Sequence, residues 1–234
     1  MAHIIALAHC QSRVWTDAIE NRHEVMTAVP SAHWVESVRM FVSGADPASL
    51  TPRGASSKRV LGIDPGMTRC GYAVLESAGA NGVVPVSLGV LRTMATDSTA
   101  SRLAQLHVDI EELISDFEPD AVALEQVFFQ VNVRTAMSVG QVSGIAMALA
   151  VRHGCRVVEY TPNQVKESVT GWGGADKSQV QKMVQARLGL TRPPEPVDAA
   201  DAAAVALCFL ASEPLQSRLI ESGANVVHGR VRAR

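Results

Sequence analysis

Four carboxylates stand at positions where a fold could gather them. Asp64 follows the apolar run Arg59-Val-Leu-Gly-Ile63 and precedes Pro65-Gly66, so it sits where a strand runs out and exposes its last side chain. Glu125 follows Ala121-Val-Ala-Leu124 in the same way. Asp198 and Asp201 are three residues apart at the head of an apolar helical pattern, so both project from one helix face and can reach one ion. Each has a plainer reading alone. Asp before Pro stabilises a turn, a carboxylate at a strand end can be ordinary surface, and acids in a first helical turn favour the positive helix end by about 0.3 to 1 kcal/mol. Brought together they would repel one another and hold raised pKa values, a conflict that a divalent cation resolves. All-oxygen ligands favour Mg²⁺ or Mn²⁺ over zinc. Two such ions about 3.5 to 4 Å apart suit an in-line phosphoryl displacement.

The elements that must position these acids are legible in the periodicity. Arg59–Ile63, Cys70–Glu76 and Val83–Thr93 read as three strands of an antiparallel meander, separated by Pro-Gly and Gly-rich turns. Leu103, Leu106, Ile110, Leu113, Ile114 and Phe117 recur at helical intervals, and Glu118-Pro119-Asp120 breaks into the strand that carries Glu125. Asn132–Arg152 reads as a helix rich in Ala, Met and small residues, ended by His153-Gly154, and Arg156–Tyr160 as a fifth strand. Helices follow from Thr161-Pro162, from Asp176 to Leu188 and from Asp198 to Ala211. This order predicts an α/β fold, a mixed five-stranded sheet flanked by helices in the ribonuclease-H-like arrangement. In it the first and fourth strands are neighbours with the last helix beside them. The small residues Ala199, Ala200, Ala202, Ala203 and Ala204 allow that helix to lie close to the sheet.

Composition bounds the rest. A chain of 234 residues, 47% hydrophobic and 19% charged, supports one well-buried core with small appendages. The expected organisation is an extension over 1–57, ending in a Gly/Pro/Ser-rich linker, a main domain over 58–212 and a polar tail over 213–234 that frays. The longest apolar run, within Ser143–Val151, is too short to span a bilayer, and the chain does not open like a secretory signal. Cys10, Cys70, Cys155 and Cys208 show no paired spacing. A soluble, reduced, cytoplasmic protein is expected. Net charge is only −2, but between Asp109 and Glu125 there are seven acidic residues and no Lys or Arg, whereas Arg152–Arg192 holds seven basic residues against three acidic. That asymmetry predicts a two-sided electrostatic surface, or simply two solvated helix faces.

With these positions in hand the chain resembles the RuvC Holliday-junction resolvases, the crossover junction endodeoxyribonucleases. The resemblance rests on Gly62-Ile-Asp-Pro-Gly66 with Gly71-Tyr72, Glu125-Gln-Val-Phe128, Gln164-Val-Lys166, Lys177-Ser-Gln-Val-Gln181 and Asp198-Ala-Ala-Asp201, in order from about Arg59 to Ala211. It implies a homodimer that binds a four-way DNA junction, makes symmetric nicks in two strands of like polarity, and works with a RuvA–RuvB branch-migration complex. By the same resemblance Asp64, Glu125, Asp198 and Asp201 bind Mg²⁺, two ions per subunit, with Mn²⁺ able to substitute. Lys166 and Lys177 match basic positions beside the active centre, and Phe128 matches an aromatic that stacks on an unpaired base, with Phe129 beside it as core or as the stacking residue itself. The Asn132–Arg152 helix, with Gly140, Ser143, Gly144 and Ala148, resembles the family's dimer helix, although packing on its own sheet would call for the same small residues. Trp172, in Gly171-Trp-Gly-Gly174, falls in a loop that the resemblance places toward DNA. Three other classes share parts of the pattern. A related YqgF-type nuclease that processes RNA lacks the lysine motifs and Asp-Ala-Ala-Asp. An actin-like or sugar-kinase-like ATPase needs a second phosphate loop that this sequence does not carry. A junction-binding module without catalysis gives no reason for four retained acids.

Overall fold

The protein is described by a computed structural model over residues 57–78, 82–126, 133–221, 225–227 and 230–232. Phe128 and Phe129, and all of the expected N-terminal extension but Ser57, lie outside the described residues.

Five strands form one sheet: β1 (Arg59–Asp64), β2 (Arg69–Ala78), β3 (Gly82–Arg92), β4 (Ala121–Glu125) and β5 (Arg156–Tyr160). Their order is β3-β2-β1-β4-β5. The first three pair antiparallel as a meander, and β1–β4 and β4–β5 pair parallel. Parallel pairing follows from the crossover helices α1 (Thr99–Phe117) and α2 (Val133–Arg152), which return the chain to the same end of the sheet. After β5 come α3 (Pro162–Thr170), α4 (Lys177–Arg187) and α5 (Val197–Glu221). This is the expected mixed five-stranded sheet with its helices.

Local sequence explains most boundaries. Ser98 caps α1 by accepting from the Ser101 amide, and Leu106, Ile110, Leu113, Ile114 and Phe117 are its buried stripe. Thr161 and Gln164 form a capping box at α3, with Pro162 in the first turn, and Asp176 and Gln179 form another at α4. The last helix departs from expectation. It continues past Ala211 to Glu221, and Asn225–Val227 (β6) pairs antiparallel with Arg230–Arg232 (β7), where a frayed tail was expected.

The helix α5 packs on β1 and β2, reaches β4, and is itself covered by α3 and α4. Its residues Ala199, Ala200 and Ala202–Phe209 are all buried, which explains why it shows no amphipathic stripe. α1 packs against α2, and α2 against β4 and β5. Among the described residues no helix is long and apolar enough to cross a membrane.

Candidate active site

Strand register brings the first two acids together. Ile63 and Leu124 are partners on the parallel strands β1 and β4, so Asp64 and Glu125 come next, side by side at the carboxyl ends of two neighbouring strands. In an open α/β sheet this end is where ligands bind. Side chains alternate along a strand, so Val60, Gly62 and Asp64 share one face, as do Ala121, Ala123 and Glu125.

That face is the one α5 covers, and glycine lets it come close. A Cβ on Gly62 would lie 2.3 Å from the Ala202 carbonyl oxygen, and a Cβ on Gly71 2.0 Å from that of Asp198. Since Gly71 is the register partner of Asp64, the head of α5 is pressed onto the ladder beside the first acid. Asp198 and Asp201, three residues apart, therefore arrive at the strand ends carrying Asp64 and Glu125. The structure brings all four predicted acids to one place.

Their mutual influence is visible in their acidity. Asp64 is pushed up to about 7, first by burial and then by the charges of Glu125, Asp201 and Asp198, with Lys177 opposing. Glu125 is raised by burial and by Asp201, with Lys177 and Lys166 opposing. The other two acids have cationic partners. Arg69 donates to one Asp198 carboxylate oxygen through Nε at 2.8 Å and through a second guanidinium nitrogen. Lys177 Nζ donates to Asp201 at 3.2 Å, and that carboxylate holds the ammonium above its usual pKa. Lys166, Lys177, Glu125 and Asp201 line one cleft together with Pro162, Val165, Val180 and Ala204. The capping boxes fix where α3 and α4, the helices that carry both predicted lysines, begin.

Sequence reasoning missed Arg69, and with it the basic cluster on the β2–β3 side. Arg69 and Arg92 are direct cross-strand partners. Arg102 donates to Thr93 Oγ1 at 2.9 Å and to Thr68 Oγ1 at 2.5 Å, tying the turn after Asp64 to the start of α1. The available signal was spacing: Arg69 stands two residues before Gly71 and so shares its face. The charge runs expected to make two opposed surfaces do not map that simply. Glu111 of the acidic run pairs with Arg152 of the basic run at 2.9 Å, and Arg156 lies over the Phe209 ring at 5.6 Å. Helix packing interleaves the two runs, because α1 and α2 touch.

Comparison with known proteins matches this geometry to one family. The family model described as crossover junction endodeoxyribonuclease RuvC matches residues 60–209, from β1 into α5. The chain belongs to the RuvC family. RuvC of Thermobifida fusca is 47% identical over 161 residues, 69% of this chain and 88% of that protein. RuvC of Natranaerobius thermophilus is 44% identical over 160 residues, 68% and 99% of the two chains. Among solved structures, Thermus thermophilus RuvC in complex with a Holliday junction substrate superposes with a TM-score of 0.65 at 34% identity, covering 68% of this chain and 97% of that one. The yeast mitochondrial Holliday junction resolvase Ydc2, at 15% identity, TM-score 0.52 and coverage of 70% and 84%, shares the fold. As a RuvC-family member the chain is an endodeoxyribonuclease that depends on a divalent metal.

The residues fit such a metal by donor type: four carboxylates and no thiol or imidazole, with the acidity of Asp64 weakened first by burial and then by its acidic neighbours. The side chains are not closed into a cage. Among the described residues no three His, Cys, Asp or Glu stand in a ready-made ligating arrangement. Asp198 and Asp201 are turned toward Arg69 and Lys177 instead.

Proposed function

We propose that this chain is a homodimeric, Mg²⁺-dependent Holliday-junction resolvase that makes paired symmetric nicks. The observation that carries this reading is the meeting of Asp64, Glu125 and the head of α5 at one sheet edge, with Asp64 pushed up to about 7 by burial and by the other three acids. Asp64, Glu125, Asp198 and Asp201 would hold the metal. Bound by these four carboxylates, two Mg²⁺ ions, or Mn²⁺ in their place, would supply an activated water and charge stabilisation for phosphodiester hydrolysis.

The protein's own cations complete the site. Lys166 and Lys177, on the α3–α4 wall of the cleft, hold the phosphates of the strand to be cut and steady the charge that develops on them. Phe128, three residues after Glu125 in the sequence, is proposed through the family resemblance as the residue that stacks on an unpaired base.

A stripe on α2 supports the dimer. Val133, Met137 and Val151 are exposed, as are Gly140, Gly144 and Ala148, and these positions recur at three- and four-residue steps along one helix face. A Cβ on Gly140 or Gly144 would meet nothing within 4 Å, so these glycines serve no packing within their own chain. Ser143 flanks this stripe on its inward side: it is buried and donates to the Val139 carbonyl. A second copy laid on the exposed stripe gives the two-fold pair of sites that symmetric nicking needs. Action alongside a RuvA–RuvB branch-migration complex belongs to the same reading, through the family resemblance.

Purified protein is expected to cut a synthetic four-way junction in Mg²⁺ or Mn²⁺, to bind it without cutting in Ca²⁺, and to lose cutting but not binding in Asp64→Asn. Cutting by that variant at the wild-type rate would overturn the assignment.

A further inference from the structure

Arg69 opens β2, immediately after the turn that follows Asp64, and its guanidinium spans from the sheet to Asp198 on α5. We propose that Arg69 is a metal-released phosphate ligand. In the metal-free protein it neutralises Asp198; when a divalent cation takes that carboxylate, the guanidinium turns, beside Arg92, to a backbone phosphate of the DNA strand entering the cleft. The proposal rests on the reading of Asp198 as a metal ligand.

Four features carry it. The ion pair is suited to exchange: Arg69 is 44% and Asp198 28% exposed, and solvent-screened pairs of this kind are weak, so a divalent cation can displace the guanidinium. Both hydrogen bonds from Arg69 fall on one Asp198 carboxylate oxygen, Oδ2, so the guanidinium occupies an oxygen that a cation would otherwise take.

The released guanidinium has a destination. Arg69 and Arg92 are direct cross-strand partners, so their side chains leave the same face of the sheet. Like charges so placed are unfavourable unless an anion lies between them. Asp198 neutralises Arg69 in the metal-free protein, and a phosphate lying between the two arginines does so once Asp198 is taken. Guanidinium forks match phosphate oxygens bidentately, which an ammonium cannot do.

The backbone beneath Arg69 is held in place, so the exchange needs only a side-chain rotation. Thr93 Oγ1 donates to the Met67 carbonyl at 2.6 Å, the Thr93 amide to the Thr68 carbonyl at 3.2 Å, and Arg102 grips both threonine hydroxyls. Lys166 and Lys177 stand on the α3–α4 side of the acids and Arg69 and Arg92 on the β2–β3 side. A strand crossing the acidic centre thus meets cations on both flanks.

The test compares full-length wild type, Arg69→Gln and Arg69→Lys, with Asp64→Asn as control. Mn²⁺ binding to the DNA-free proteins is followed by electron paramagnetic resonance, and junction binding by fluorescence anisotropy in EDTA and in Ca²⁺. Arg69→Gln is expected to bind Mn²⁺ about 2- to 5-fold tighter than wild type, with Arg69→Lys between. Its junction affinity should match wild type in EDTA, where Arg69 is committed to Asp198, and fall about 5-fold in Ca²⁺. A purely structural Arg69 would lower thermal stability and leave Mn²⁺ affinity unchanged or weaker, which overturns the proposal. So does a loss of junction affinity that is equal in EDTA and Ca²⁺. If Arg69→Gln does not fold, the direction of the Arg69→Lys shifts decides in the same way. Wild type that binds no Mn²⁺, or Asp64→Asn that binds it equally well, would instead sink the metal-site reading, and the Arg69 proposal with it.

Discussion

Asp64 and Gly71 face each other across the antiparallel ladder of β1 and β2, and the space that Gly71 leaves empty is taken by the main-chain carbonyl of Asp198, 2.0 Å from where a Cβ would stand. One missing methyl group thus sets how near the head of α5 comes to the first acid. Gly71→Ala must push that helix end away, because the obstructing atom is backbone. Overpacking of this kind costs about 1 to 3 kcal/mol, and displacing two acids by even about 1 Å can cost on the order of 100-fold in rate. The expected result is a melting temperature lowered by several degrees, with single-turnover junction cutting reduced at least about 100-fold and junction binding changed far less. Near-normal cutting by a folded Gly71→Ala protein would contradict it.

Asp64 also makes the metal-free fold sensitive to pH. Its folded pKa of about 7 lies above the ordinary 3.8. The protonated carboxyl therefore favours the folded state below pH 4, and that contribution fades as pH rises through 7. In EDTA, wild type should lose stability between pH 5 and pH 8 relative to Asp64→Asn, by on the order of 1 to 2 kcal/mol. Added Mg²⁺ should close the gap by offsetting the repulsion. Thermal melts of both proteins at several pH values, with and without Mg²⁺, measure this, and parallel curves in EDTA would contradict it.

Lys177 opposes the rise of both Asp64 and Glu125, in addition to bonding Asp201. Lys177→Met should therefore do more than weaken phosphate binding. Both acids become harder to ionise, protons compete better with metal, and the acid limb of the pH–rate profile moves to higher pH. Cutting at pH 7 should fall about 10- to 100-fold. Lys166→Met acts on Glu125 alone among these acids and should shift the profile less. Profiles that coincide after scaling would show that neither lysine tunes the carboxylates.

The exposed stripe on α2 predicts an assembly effect without a folding effect. Glutamate at Gly144 enters open space in its own chain but places a charge in the proposed helix–helix contact. Gly144→Glu should sediment as a monomer, retain its melting transition within about 1 kcal/mol at matched protomer concentration, and lose paired nicking. A stable Gly144→Glu dimer would place the interface elsewhere.

Local features explain why so much was legible beforehand. Arg156–Tyr160 was expected as a strand and is one, and Thr161 and Asp176 were expected to start helices and are caps. Alternation, helical period and capping depend on residues within a few positions of one another, so periodicity alone predicts them. The acids at Asp64 and Glu125 were visible because a strand end is a local event, and Asp198 with Asp201 because helical spacing is. What tertiary structure alone decided were relationships between distant residues. Arg69 and Asp198 meet across 129 positions, and the contact exists only because register places Gly71 under the helix head. Similarly, the composition of α2 could not say which small residues face inward. Ser143 turns in while Gly140, Gly144 and Ala148 turn out, because the sheet on one side fixes the helix rotation. The chemistry of each side chain was written along the chain, but which charge neutralises which depended on packing, where one β-carbon more or less moves a whole helix.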